Sequence, residues 1–340
     1  MAEAQIHGGT DALGVPAHDF STNRNACGPC PQVVAALQAA HVAQYPDPAY
    51  TDLRAALAAF HGVDPARVLL AGSASECIHR LTLHAVRSGA RQVSLPPHHY
   101  GDYPHAARLW QLPVVPRSPH AGGPGLHWAC APSSPLGLDE DVWPLWPSPA
   151  PAGAWRVLDC AYVPLQLEPA AVQPNLDHVW QMWTPNKALG MTGVRAAYAI
   201  APVQATPQEL AALRDLAPSW VVGAHGVAML QAWTTPPVQA WLQASLVQLR
   251  AWKAQQVQLC ARLGWQVLPG HRANYFVARW PQDGQARMAQ ALAVLRAQGI
   301  KLRDAHSFGL PGCVRLGVLP PASQQALAQA WAAMNLKELA

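Results

Sequence analysis

Lysine is almost missing from this chain: Lys187, Lys253, Lys301 and Lys337 are the only four in 340 residues. Charged side chains of all kinds amount to 12%. The net charge of +4 is spread thinly, with no Lys/Arg cluster, zinc-finger spacing or helix-turn-helix pattern, which argues against a nucleic-acid partner. No apolar run reaches the length that spans a bilayer, which argues against a membrane partner. The opening MAEAQIHGGTDALG has neither the basic nor the apolar stretch of a secretory signal, so a cytoplasmic protein is the expectation. A disulfide framework is not expected either. The seven cysteines, at 27, 30, 77, 130, 160, 260 and 313, are odd in number and mostly in apolar surroundings, as reduced core thiols are. With 51% hydrophobic residues the chain is long and apolar enough for a sizeable core and about two domains.

Short apolar runs bounded by Gly and Pro alternate with helical stretches. RVLLA (67–71), QVSLP (92–96), LHWACA (126–131), WRVLDCAY (155–162), HVWQMW (178–183) and VRAAYAIA (194–201) read as strands of a mostly parallel sheet between helices. PQVVAALQAAH (31–41) starts with proline at a first-turn position, and YTDLRAALAAFHG (50–62) has helical spacing and a glycine stop. Residues 205–260 are helix-rich. NYFVARW, a helix, and a strand pair around IKLRD and CVRLGV then suggest a second α+β unit after a long connecting helix. WPLWPSPAPAGAW (143–155) reads as an extended surface loop.

In open α/β sheets ligands bind beyond the carboxyl ends of the strands. Those ends carry Gly72-Ser73-Ala74-Ser75 at a helix start, Tyr100, Ser133-Ser134, Asp159 with Tyr162, and Thr184 with Lys187; Arg195 follows. A helix start with hydroxyls suits a phosphate. A lysine amine attacks an aldehyde, and a carboxylate is the usual partner of a pyridinium nitrogen. Together they fit a pyridoxal phosphate site.

The order Tyr45-Pro46-Asp47-Pro48, Gly72-Ser73-Ala74-Ser75-Glu76, Tyr100, Ser134-Pro135-Leu136-Gly137, Asp159-x-x-Tyr162, Thr184-x-x-Lys187 and Gly193-x-Arg195 resembles the class I/II aminotransferase family of fold type I. The resemblance implies a large domain (36–232), with a mostly parallel sheet between helices, and a small α+β C-terminal domain (233–340), preceded by an arm and substrate loop (1–35). It implies that Lys187 holds pyridoxal phosphate and moves protons, that Asp159 pairs with the ring nitrogen, that Tyr162 reaches the ring hydroxyl and that Tyr100 stacks on the ring. Ser73, Ala74, Ser75, Thr184 and Arg195 would hold the phosphate, and Arg315 a substrate carboxylate. Tyr45 would serve the neighbouring subunit's site, which implies a homodimer. Two positions depart from the family: Ser134 stands where an asparagine contacts the ring hydroxyl, and Asn186 where Ser or Thr precedes the lysine.

HGG (7–9) followed by HDFSTNRNACGP (18–29) resembles the opening of the threonine-phosphate decarboxylases of cobalamin biosynthesis. By that resemblance His7 touches a substrate phosphate and Asn25 lies by the substrate. The leading expectation is therefore a lyase that decarboxylates threonine phosphate; the alternative is the sister family, histidinol-phosphate aminotransferase, or another class I/II aminotransferase. The competing reading from another class is a thiol oxidoreductase built on Cys27-Gly28-Pro29-Cys30. No metal is expected, since no second Cys/His pair stands at ligand spacing.

Overall fold

The computed structural model describes residues 7–117, 123–143, 146, 150–170 and 175–334. The chain enters along a short strand, β1 (His18–Asp19), and two helices, α1 (Pro31–Gln38) and α2 (Thr51–His61). Pro31 begins α1, where its missing N–H costs nothing, and Gly62 ends α2 with φ 65°. Next come β2 (Val68–Ala71), α3 (Ala74–Arg87), β3 (Val93–Leu95), α4 (Asp102–Leu109), β4 (Val114–Pro116), β5 (Gly125–Cys130), β6 (Ala154–Asp159), β7 (Trp180–Trp183) and β8 (Ala197–Ile200). These strands form one sheet in the order β2-β8-β7-β6-β5-β3-β4. All are parallel except β8, which runs against both its neighbours.

Helices cover both faces, so VLLA and WQMW are buried along their whole length. The two-residue period of the strands sorts their side chains between two cores. Along β6, Trp155 and Val157 pack with Ile78 and Tyr103, while Leu158 packs on the opposite face with Leu57 and Met229.

The rest of the chain comprises α5 (Pro207–Asp215), α6 (Ala224–Trp233), α7 (Pro236–Arg262), β9 (Gln266–Val267), β10 (Tyr275–Arg279), α8 (Gln282–Ala286), α9 (Met288–Ala297), β11 (Ile300–Lys301), β12 (Arg303–Asp304), β13 (Cys313–Gly317) and α10 (Pro321–Ala333). An antiparallel sheet runs in the order β12-β13-β10-β9. The 27 residues of α7 make a rod of about 40 Å. No helix among the described residues is long and apolar enough to cross a membrane.

Three expectations need correction. The run IKLRD is not one strand: Ile300–Lys301 pairs in parallel with β1, and only Arg303–Asp304 joins β13. The segment 143–155 is not simply a surface loop. Trp146 and Trp155 are buried and β6 starts at Ala154, because two indoles carry too much apolar area to leave in water; residues 144, 145 and 147–149 lie outside the described residues. The edge strand β4 was not expected, since a half-exposed VVP lacks a strand's usual burial and places its proline where only an edge tolerates one.

The N-terminal segment docks backbone to backbone on the loop after β7. Asn25 N donates to Lys187 O (2.8 Å) and Cys30 N to Leu189 O (2.9 Å). Glycine permits this approach: Gly190 has φ +69°, and a Cβ there would come within 2.9 Å of Gly28 Cα and 3.0 Å of Asn25 O. We expect Gly190→Ala to cost more than about 1 kcal/mol, combining a left-handed backbone with a clash against main chain, visible as a lowered midpoint in chemical unfolding.

Candidate active site

The sheet topology brings the polar strand ends to one edge. The segments after β2, β5, β6 and β7 leave the sheet on that side, and Arg195 joins them because it precedes the single reversed strand, β8. There Ser73, Ala74, Ser75, Tyr100, Ser134, Asp159, Tyr162, Thr184, Lys187 and Arg195 all line one cavity, with Ala161, Asn186 and Ala196. It holds about 550 Å³ free of protein atoms, part of it open to solvent.

At one end is an anion cradle. Ser73 caps α3 in extended conformation, its Oγ accepting from Glu76 N at 3.0 Å, so the next N–H groups of the helix face the cavity with the positive end of its dipole. A Cβ at Gly72 would approach Val221 O to 3.0 Å, so this turn is tight. Thr184 lies across from it, its hydroxyl within reach of Asn186 Oδ1 (3.0 Å) and Ala196 O (3.3 Å). Arg195 adds an exposed guanidinium.

At the other end is a buried carboxylate. Asp159 Oδ2 accepts from the Tyr103 hydroxyl at 2.6 Å and Oδ1 from Ala161 N at 2.9 Å. Burial pushes its carboxyl above the ordinary range, while Tyr103 and the Ala161 N–H pull it back. Lys187 Nζ sits 5.3 Å from the centre of the Tyr162 ring. A dianion cradle, a buried carboxylate, a phenol and an amine are the donor set that the phosphate, ring nitrogen, ring hydroxyl and aldehyde of pyridoxal phosphate require, so the residues fit that group.

Ser134, the replacement for the usual asparagine, is buried in the cavity wall. An amide reaches the same phenol from elsewhere: Asn23 Nδ2 donates to Tyr162 Oη at 3.3 Å, and Asn23 Oδ1 is buried without a partner among the described residues. Asn25, expected beside the substrate, is instead committed. Its Nδ2 donates to Ala188 O and Ser245 Oγ and its Oδ1 accepts from Cys27 N, since a fully buried amide must satisfy its own groups.

Arg315 lies beyond Tyr162, its guanidinium carbon 5.9 Å from the Tyr275 ring, which in turn meets Tyr162 edge-on at 4.7 Å. Its Nη2 donates to Ser21 O at 2.9 Å, and its buried Nε has no partner. Sequence reading missed Arg303, which the β12–β13 register sets directly opposite Arg315. Both are buried and both lie over Phe308, at 4.6 and 5.4 Å. Burial and the neighbouring Arg315 charge push Arg303 down to about 10. Arg303 is engaged, its Nη1 donating to Asp304 O at 2.6 Å and its Nη2 to Ser307 Oγ at 2.7 Å, which leaves the Nε of Arg315 as the donor open to an anion; neither arginine is among the residues lining the cavity.

His7 is exposed and does not line the cavity. The glycines after it pack on the chain beside Arg315: Gly9 N donates to Ser21 Oγ at 2.8 Å, and a Cβ on Gly8 would collide with Ser21 O. Tyr45 is 76% exposed and stacks on Trp220 at 4.3 Å, away from the cavity of its own chain. Cys27 is half-buried and Cys30 fully buried, and burial raises both thiols, the reverse of an activated redox pair. No group of three or more His, Cys, Asp or Glu side chains gathers among the described residues to hold a metal.

The family model for aminotransferase class I and II matches residues 16–121 and 130–333. Histidinol-phosphate aminotransferase 1 of Bordetella parapertussis is 28% identical, covering 91% of this chain and 89% of its own. The structure of histidinol-phosphate aminotransferase from Sinorhizobium meliloti in complex with pyridoxal-5'-phosphate superposes with a TM-score of 0.77 at 22% identity, covering 94% of this chain and 90% of its own. That of L-threonine-O-3-phosphate decarboxylase from Porphyromonas gingivalis gives 0.69 at 20%, covering 88% and 93%.

Proposed function

The chain belongs to the aminotransferase class I and II family and is a pyridoxal-phosphate-dependent enzyme, and from that premise we propose that it transfers the amino group of a small phosphorylated amino compound of the histidinol-phosphate kind. The observation that supports this is the buried pair Arg303 and Arg315, opposite each other in the β12–β13 register, with Arg315 beside the Tyr275 ring that meets the cavity residue Tyr162 edge-on. A second anion cradle, separate from the one at α3, is what a substrate with its own phosphate needs. Relatives that match over some nine-tenths of the chain include histidinol-phosphate aminotransferases of Bordetella parapertussis and Rhodospirillum centenum. Decarboxylation of threonine phosphate, the reading that led on sequence, takes second place, because the decarboxylase comes in as a likeness of fold at 20% identity.

The cofactor, when bound, supplies an electron sink conjugated to the substrate's Cα. Ser73, Ser75, Thr184, Arg195 and the N–H groups of α3 bind its phosphate. Asp159 holds a proton on its ring nitrogen, and Tyr162 and Asn23 orient its ring hydroxyl. Tyr100, in the cavity wall, would pack against the ring and help keep water from it. Lys187 would bind the aldehyde and, once the substrate amine has taken its place there, its freed amine would accept the proton that leaves Cα. Arg315, with the charge of Arg303 beside it, would fix the substrate's anionic end and so govern which bond at Cα is presented to the ring.

One observation favours the second reading. Gly8 and Gly9 lie against Ser21 beside Arg315, where an N-terminal arm could touch a substrate phosphate. Paired assays separate the two. Histidinol phosphate with 2-oxoglutarate should yield glutamate; threonine phosphate should yield little carbon dioxide. Carbon dioxide release from threonine phosphate, with no glutamate formed in the first assay, would reverse the order. The exposed Tyr45–Trp220 stack and the exposed Arg195 at a cavity mouth further support a homodimer in which Tyr45 reaches the neighbouring site. Sedimentation should give twice the chain mass of 36.4 kDa, and a monomer would remove that assignment.

A further inference from the structure

The first turn of α4 carries a residue that no motif marked. Tyr103 is 1% exposed, stacks on Trp128 with ring centres 4.6 Å apart and 9° between planes, and donates its hydroxyl to Asp159 Oδ2 at 2.6 Å. Ala161 N holds the other oxygen. Just before the helix, Tyr100 stands in the cavity wall, and the first residue of α4, Asp102, accepts the Ser75 hydroxyl on Oδ2 at 2.5 Å. The start of α4 and the segment leading into it thus touch the cradle, the cavity wall and the buried carboxylate.

A carboxylate with this burial lowers its energy by taking up a proton, and a donor to its charged form opposes that. The Tyr103 ring has no freedom to leave, since the stack on Trp128 fixes its plane. Lys187 and Asp102 are the other charged groups felt by Asp159, the first favouring its ionised form and the second opposing it. We propose that Tyr103 is a positioning residue for the cofactor: its hydroxyl keeps Asp159 ionised and aimed, so that a proton shared with the ring nitrogen resides on the nitrogen. This rests on the reading that Asp159 faces that nitrogen.

The test uses holoenzyme loaded with cofactor labelled at its ring nitrogen and read by nitrogen NMR. Tyr103→Phe keeps the ring and the stack and removes only the donor. Its resonance should move from the protonated position towards that of Asp159→Asn. The value of kcat should fall about ten- to a hundredfold with KM nearly unchanged, as expected when a hydrogen bond to a charged group is lost. Tyr103→His, which restores a ring N–H, should recover part of both. A Tyr103→Phe resonance identical to wild type, with Asp159→Asn displaced, would overturn the role of Tyr103 and leave that of Asp159 intact. An Asp159→Asn resonance identical to wild type would overturn the Asp159 reading and this proposal with it. If Tyr103→Phe does not accumulate as folded protein, Tyr103→Leu, also lacking the donor, carries the same comparison.

Discussion

Replacing Lys187 with alanine abolishes the visible absorbance of the bound cofactor and lowers turnover by at least a hundred- to ten-thousandfold, the range typical of losing a positioned acid–base group alone. The scarcity of lysine makes this sharp. Lys253 Nζ is engaged by Glu168 Oε1 (3.1 Å) and His271 O (2.8 Å), and Lys301 Nζ by Asp11 Oδ2 (2.8 Å) and Gly9 O (2.6 Å). Lys187 Nζ has no ion pair or hydrogen bond among the described residues and points at the Tyr162 ring. No other described lysine can take over its task. Absorbance spectra and steady-state rates of the variant check the expectation.

Arg315→Met separates function from stability. A buried, anion-anchoring guanidinium contributes about 2–5 kcal/mol to the contact it makes, so kcat/KM should fall about thirty- to a few thousandfold. The melting temperature should hold or rise. Arg315 has no carboxylate partner among the described residues, its Nε is unsatisfied, and it repels the buried Arg303 opposite it. An apolar side chain of similar length removes those costs. Steady-state kinetics and thermal unfolding on the same preparation read both effects; a large loss of stability would mark Arg315 as structural.

Much of the site is legible in the sequence because strand ends are legible. Ser73, Thr184 and Lys187 follow, and Asp159 ends, mostly apolar buried strands of four to six residues, and a parallel sheet sends such ends to one edge. What escapes the sequence depends on register and on long-range pairing. Arg303 comes to lie opposite Arg315 only because two-residue β12 pairs with β13, and nothing in IKLRD announces that break. Tyr103 needs the distance between α4 and β6, which the spacing from Tyr100 does not supply. Asn25 and Asn23 are interchangeable as letters. Backbone docking of the N-terminal segment on the lysine loop turns one into a brace and leaves the other at the phenol. The Cys27-Gly28-Pro29-Cys30 motif is explained by the same docking: Gly28 is there because Leu189 O lies 2.8 Å from where its Cβ would be, and the thiols beside it are raised by burial.

Borohydride reduction of the holoenzyme, followed by peptide mapping in a mass spectrometer, tests the central claim most directly, because reduction fixes the cofactor to whichever amine holds it. The account predicts a pyridoxyl phosphate adduct on the peptide containing Lys187 and on no other. An adduct on a peptide containing Lys253, Lys301 or Lys337, or none on a preparation that turns over, would contradict it.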